Sequence, residues 1–230
     1  MTRIINGFLV LVSCATLSML ANANTPSKSD PARQDPYQII QETTEQVLAI
    51  VKDSKDYYES DPEKFNTQIT QVLDSVIDFE SFTRGVMGTY ASGQRYKSLK
   101  SEKEKAEFRE RFHRFTAVFK QEIINTYASH LADFNGGEVD TLPPRKGDNL
   151  SSGSVTVMQS ISNGSGKPYL VQYRMRRNKA GEWKLQNLIV EGINLGLTYR
   201  SQFTEATNKY GGDIDKVIDN WTVSPQQLKK

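Results

Sequence analysis

The sequence predicts an α+β fold, a curved antiparallel sheet covered by helices, in a single domain. Three observations predict it. Apolar residues recur at helical spacing through the first half of the chain. They switch to alternation over three successive runs in the second half. Helical spacing then returns near the C-terminus. Helices, a hairpin-connected sheet and helices again is the order of an α+β plan, with helices gathered on one face of the sheet.

The helical half carries its own start and stop signals. Asp35-Pro36 pairs a capping residue with a proline at the first helical position, and Ile39, Ile40, Val47, Ile50 and Val51 follow as one apolar stripe. Asp61-Pro62 repeats the signal ahead of Phe65, Ile69, Val72, Leu73 and Val76. Asp78 caps a short third helix through Phe79, Phe82, Val86 and Met87 that ends near Gly88. Ser101 and Glu104 form a capping box, each side chain reaching the other's exposed backbone N–H. The long helix that follows runs to about Phe134. Phe108, Phe112, Phe115 and Phe119 recur along it at steps of four, three and four, and Ile123, Tyr127 and Leu131 extend the row. Asn135-Gly136-Gly137 ends it.

In the second half, Val155, Val157 and Ile161 alternate, then Tyr169, Val171, Tyr173 and Met175, then Trp183, Leu185 and Ile189. Asn163-Gly164-Ser165-Gly166 and Lys179-Ala180-Gly181-Glu182 are the turns between them, which makes an antiparallel meander. Residues 138–142 add an edge strand. Two further helices are expected, at about 197–210 and 213–221.

The N-terminus reads as an address. Arg3, an apolar stretch from Ile4 to Leu20 and the small-x-small ending Ala21-Asn22-Ala23 make residues 1–23 a secretory signal peptide. Leu11-Val12-Ser13-Cys14 also resembles a lipoprotein cleavage site, but the apolar residues continue past Cys14, where such a mature end turns polar. Residues 24–35 are a flexible lead-in, 36–222 the single domain and 223–230 a C-terminal tail. Cys14 is the only cysteine, so the processed chain has no disulfide, no thiol nucleophile and no cysteine metal site. Its stability rests on a core, for which about 200 residues suffice. The 29 Lys and Arg nearly balance the 27 Asp and Glu, which argues against a nucleic-acid partner.

Catalytic signals are missing. His113 and His130 are the only histidines, and their spacing does not make a metal pair. There is no HExxH, no GxSxG and no phosphate-cradling glycine loop. Asp213 and Asp215 favour a helix N-terminus, and Glu102 and Glu104 lie in a solvated segment. No nucleophile, base and orienting partner come together, so an enzyme is the weaker class, and no cofactor or metal is expected. The aromatic helix facing an alternating sheet has two readings. It is a filled core, or it is one wall of a gap that holds an apolar ligand.

One long stretch resembles a known family. Residues 190–203, from Val190-Glu191-Gly192 to Tyr199-Arg200-Ser201-Gln202-Phe203, with Gly211-Gly212-Asp213-Ile214-Asp215-Lys216-Val217-Ile218, are similar to the MlaC or toluene-tolerance auxiliary family of the Mla (maintenance of lipid asymmetry) pathway. Asp78-Phe79, Thr83-Arg84-Gly85-Val86-Met87-Gly88, and Phe108, Phe112 and Tyr127-Ala128 extend the match in order. Residues 91–105 depart from it, being longer and more basic, and Thr89-Tyr90 replaces a Tyr-Trp-like pair. The resemblance implies an apolar cavity between sheet and helices that takes the acyl chains of a phospholipid. It implies a periplasmic carrier without cofactor, shuttling lipid between an outer-membrane lipoprotein–porin complex and an inner-membrane ABC transporter that carries an MCE-domain protein. Candidate lipid-binding residues are Val86, Met87, Phe112, Phe115, Phe119, Val155, Val157, Val171, Tyr173 and Ile189, with Arg200 as a phosphate contact near the mouth. A secreted adaptor with a closed core and an enzyme on a related cone-shaped fold are the alternatives.

Overall fold

The computed structural model describes residues 35–134, 136–162 and 167–223. The expected signal peptide, nearly all of the expected lead-in, the turn expected at 163–166 and the chain beyond Val223 lie outside these residues.

Each helix start follows from its local chemistry. Asp35 accepts a hydrogen bond from the Tyr37 N–H at 2.9 Å and opens α1 (Pro36–Ser54). Asp61 does the same for Lys64 at 3.0 Å in α2 (Pro62–Val76), and Asp78 for Ser81 at 2.9 Å in α3 (Phe79–Met87). The capping box forms as its sequence dictates. The Glu104 N–H donates to Ser101 Oγ at 3.1 Å, and Glu104 Oε2 accepts from the Ser101 N–H at 2.8 Å, opening α5 (Glu102–Ala132). Between α3 and α5 lies a short helix that the apolar pattern of the sequence does not predict, α4 (Gly93–Ser98), with Ser92 as its cap.

The sheet is a curved five-stranded meander, β1 (Glu138–Thr141), β2 (Ser154–Ser162), β3 (Tyr169–Arg177), β4 (Trp183–Val190) and β5 (Ile193–Asn194), each strand antiparallel to its neighbour. Its register assigns the faces, because directly paired residues share a side. Val157 pairs with Tyr173, Val155 with Met175 and Gln159 with Val171. Met175 pairs with Leu185, yet Tyr173 pairs with Leu188, so Gln186 is left over in a β-bulge. The bulge shifts the alternation of β4 by one residue.

β5 runs directly into α6 (Leu195–Lys209). Asn194 caps that helix by accepting from the Leu197 N–H at 3.1 Å, and Asn187 accepts from the Gly196 N–H at 3.0 Å. A Cβ at Gly196 would meet Asn187 Oδ1 at 2.7 Å, so a larger residue there displaces the Asn187 side chain that accepts this bond. The last helix, α7 (Ile214–Asp219), is tied to α5 by Asp215, which accepts from Arg111 at 2.7 Å and from Arg114 at 3.0 Å. These guanidinium groups hold the Asp215 carboxyl below the usual carboxylate range.

The apolar residues gather into separate cores. Ile40 of α1 and Val76 of α2 cover Val155, Val157, Met175, Trp183 and Leu185 on the sheet. A larger, helical core joins α3, α5, α6 and α7. The Phe115 ring stacks on Phe119 (centroids 5.8 Å apart) and meets Phe203 and Trp221 edge-on at 4.9 and 5.0 Å. The aromatic row of α5 therefore faces other helices. That corrects the expectation that it packs on the sheet.

Candidate apolar binding site

The inward face of the sheet is largely buried but keeps free surface at a few positions. Under α1 and α2, Val155, Val157 and Met175 are buried. Farther along, Tyr173 and Leu188 share that inward face, but both keep exposed surface, as does Ile193 on β5. Across from them, Ile123 and Tyr127 of α5 are half-buried too. Ile123, Tyr127, Leu188 and Ile193 all border the same helical core. Helix α5 packs on α1, α2, α3 and α7, and meets α6 through Phe115 and Phe203. The apolar side chains that keep free surface beside these cores are thus Ile123 and Tyr127 of α5 and Tyr173, Leu188 and Ile193 of the sheet, and we read them as the walls of an apolar gap between helix and sheet.

None of these wall residues is charged. The polar groups near them are neutral and mostly satisfied by one another. Gln159, buried on the inward face, donates through Nε2 to Thr44 Oγ1 at 2.9 Å and to Thr141 Oγ1 at 3.0 Å, and accepts from the Tyr173 hydroxyl at 2.7 Å. The hydroxyls of Tyr127 and Tyr199 meet at 2.7 Å. Burial pushes the phenols of Tyr127, Tyr173 and Tyr199 up, so all three stay protonated and neutral. Tyr173 is deep in the fold and still keeps exposed surface. A deep side chain with free surface is what the wall of an internal gap looks like.

The sequence-derived candidates divide. Val86, Met87, Phe112, Phe115 and Phe119 belong to the helical core. Val86, Phe115 and Phe119 are 0% exposed, so they back the wall instead of lining it. Val155 and Val157 lie in the sheet core under α1 and α2, and Val171 is buried on the same face. Of the ten apolar candidates, Tyr173 is the one that borders the gap. Ile189 is a correction: it pairs with Gln172 and Asn194 and points to the other face, because the bulge at Gln186 inverts the alternation beyond it.

Arg200 is a second correction. It projects from the outer stripe of α6 with Leu197, Ser201 and Thr204, away from the buried stripe of Leu195, Tyr199 and Phe203, and lies against Gly88. Gly88 has φ +56°, and a Cβ there would sit 3.1 Å from Arg200 Nε. The groove along this stripe spans about 630 Å³ but is open to solvent, with Leu197 beside polar and charged side chains, so it encloses an apolar chain poorly. A smaller cleft of about 260 Å³ lies between α3, α4 and α5, with Met87 and Phe112 in its floor and Arg95 and Arg111 at its rim.

The sequence reading missed Leu188, Ile193, Gln159 and the Tyr127–Tyr199 contact as site elements. Gln159 did carry a signal, a polar residue at an inward position between Val157 and Ile161. Among the described residues no group of three or more His, Cys, Asp or Glu is placed to hold a metal ion. No helix among them is long and apolar enough to cross a membrane.

An α+β protein with an uncharged apolar gap between a helix and a sheet is suited to holding an apolar molecule by burial. The chain belongs to the MlaC protein family, whose model matches residues 41–223. It is 32% identical over 199 residues to the toluene tolerance protein ttg2D of Pseudomonas putida, covering 86% of this chain and 85% of that one. It is 23% identical over 214 residues to the intermembrane phospholipid transport system binding protein MlaC of Haemophilus influenzae, covering 92% of each. Its fold matches the phospholipid-binding protein from Ralstonia solanacearum, solved in complex with a phospholipid. That match has a TM-score of 0.66 at 23% identity and covers 81% of this chain and 94% of that one.

Proposed function

We propose that this chain is a periplasmic phospholipid carrier of the Mla pathway, exported by the signal peptide at residues 1–23. The observation that carries the reading is the uncharged gap between α5 and the sheet, walled by Ile123, Tyr127, Tyr173, Leu188 and Ile193. The family and the phospholipid named for its relatives support it. In this reading the chain takes lipid at one membrane partner, a lipoprotein–porin complex, and exchanges it with another, an ABC transporter bearing an MCE-domain protein. It makes and breaks no covalent bond.

The energetics suit an apolar wall. Burying one methylene is worth about 0.8 kcal/mol, so an acyl chain is held in a bilayer by roughly ten kcal/mol or more. A carrier must return nearly that amount by burial of its own, or the lipid stays in the membrane. Aliphatic and aromatic walls supply it without directional demands, which accommodates chains of different length.

Native mass spectrometry of the processed protein from a Gram-negative periplasm, followed by lipid extraction, tests the proposal. Bound phospholipid of fixed stoichiometry is the expected result. A second reading, an adaptor with a closed core, is favoured by the complete packing of Phe115 and Phe119. A lipid-free mass that stays unchanged after incubation with phospholipid vesicles selects that reading and overturns the carrier.

A further inference from the structure

We infer that the Tyr127–Tyr199 pair is a specificity element of the gap, presenting one hydroxyl donor to the acyl-ester carbonyl of a bound glycerophospholipid. The inference rests on the carrier reading and adds to it a directional contact.

The argument starts from counting protons. Two phenol hydroxyls carry two protons, and the 2.7 Å contact between them uses one. Neither hydroxyl makes another hydrogen bond among the described residues, so one O–H remains unspent. Its place follows from the packing of the two rings. Tyr199 is 1% exposed, wedged between Phe82 and Phe119, with ring centroids 6.4 and 5.4 Å away. Its proton has one polar neighbour to go to, the Tyr127 oxygen. Tyr127 is half-buried beside the helical core, so its own proton is the free one, and in the carrier reading it is directed at the occupant of the gap. A donor left unmade in an apolar surrounding is costly, and an occupant with an acceptor at that height recovers the cost.

The acceptor is a neutral oxygen. The five residues read as the gap's walls are aliphatic or phenolic, and Arg200, the sequence-derived phosphate contact, lies on the outer stripe of α6. Bringing a phosphodiester anion to the pair would strand a charge in an uncharged apolar site. A carboxylate from a free fatty acid meets the same penalty. An ester carbonyl carries no charge, accepts one hydrogen bond and sits at the root of the acyl chain, where burial begins. Both phenols are held protonated by burial, so the donor persists through the neutral pH range.

The test compares lipids that differ only at that oxygen. Delipidated full-length mature protein is incubated with vesicles holding equal amounts of dioleoyl phosphatidylglycerol and its diether analogue, and the bound ratio is read by native mass spectrometry. Wild type is expected to favour the ester by about five- to tenfold, the worth of one hydrogen bond in a desolvated site. The variant Tyr127→Phe/Tyr199→Phe is expected to take both lipids equally. Equal binding by wild type overturns the inference while leaving the carrier intact, and this arm needs no variant to fold. A preference retained by the double variant also overturns it, by placing the donor elsewhere. Failure of wild type to bind either lipid removes the carrier reading and the inference together.

Discussion

Replacing Phe115 with Ala separates a residue that backs the gap from one that lines it. Phe115 is 0% exposed and meets Phe119, Phe203 and Trp221 at 5.8, 4.9 and 5.0 Å between ring centroids. Truncation removes the ring's burial and leaves a hole that three neighbouring rings fill only in part. Buried Phe→Ala changes of this kind cost about 3–5 kcal/mol. For a domain of this size each kcal/mol lowers Tm by about 2–4 °C, so the expected fall is roughly 6–20 °C. The assay is thermal unfolding of delipidated protein followed by circular dichroism, paired with lipid occupancy measured by native mass spectrometry. Ile123→Ala is the companion variant. Ile123 is half-buried at the gap, so its loss is expected to cost less than about 2 kcal/mol, under the range for fully buried isoleucine, while lowering occupancy more than Phe115→Ala does at a temperature where both are folded. A fall of less than 1 kcal/mol for Phe115→Ala (about), with a large loss of bound lipid, would refute the reasoning, because it would mean that the aromatic row lines ligand space.

Two further outcomes follow from polar contacts. Asp215 has its folded-state pKa depressed by Arg111 and Arg114, so its contribution is present above the unfolded carboxylate pKa of about 4 and is lost as pH falls through the lower folded value. Asp215→Asn is therefore expected to be less stable than wild type in urea at pH 7 by under about 1 kcal/mol, since the pair is partly exposed, and the gap between the two should close below pH 4; an unchanged difference at about pH 2.5 would contradict this. Gln159→Leu leaves Tyr173, Thr44 and Thr141 without their shared partner and is expected to cost about 1–3 kcal/mol in denaturant unfolding, a cost that an unchanged midpoint would rule out.

Much of the architecture was legible because it is written in local chemistry. The caps at Asp35, Asp61 and Asp78 and the Ser101–Glu104 box are decided by residues two or three apart, and all four form. The three alternating runs pair as the turns require. What failed depended on partners far along the chain. Periodicity identifies the apolar stripe of α5 but not what it meets, and Phe115 meets α6 and the segment after α7 instead of the sheet. Strict alternation carried Ile189 inward, whereas the unpaired Gln186 turns it outward; nothing in Leu185-Gln186-Asn187 marks a bulge. Helix α4, six residues with no buried side chain, has too little apolar content to register as a helix. The gap itself is a matter of residual exposure, which is set only when α5 comes to rest on its neighbouring helices.

The two ends of the sheet bear on how such a protein behaves in a crowd. An open sheet edge is a template on which another copy can add strands, and a molecule with an unsealed apolar gap would be especially prone to grow that way. β1 is four residues long, with exposed Glu138 and Asp140, and β5 is two residues long before the backbone turns into α6. Each of these outermost strands is too short to serve by itself as a long template, and β1 adds charge to its brevity. The brevity of the outermost strands, and the charge on β1, thus limit how readily another copy can add to them, which favours keeping an apolar interior within reach of lipid.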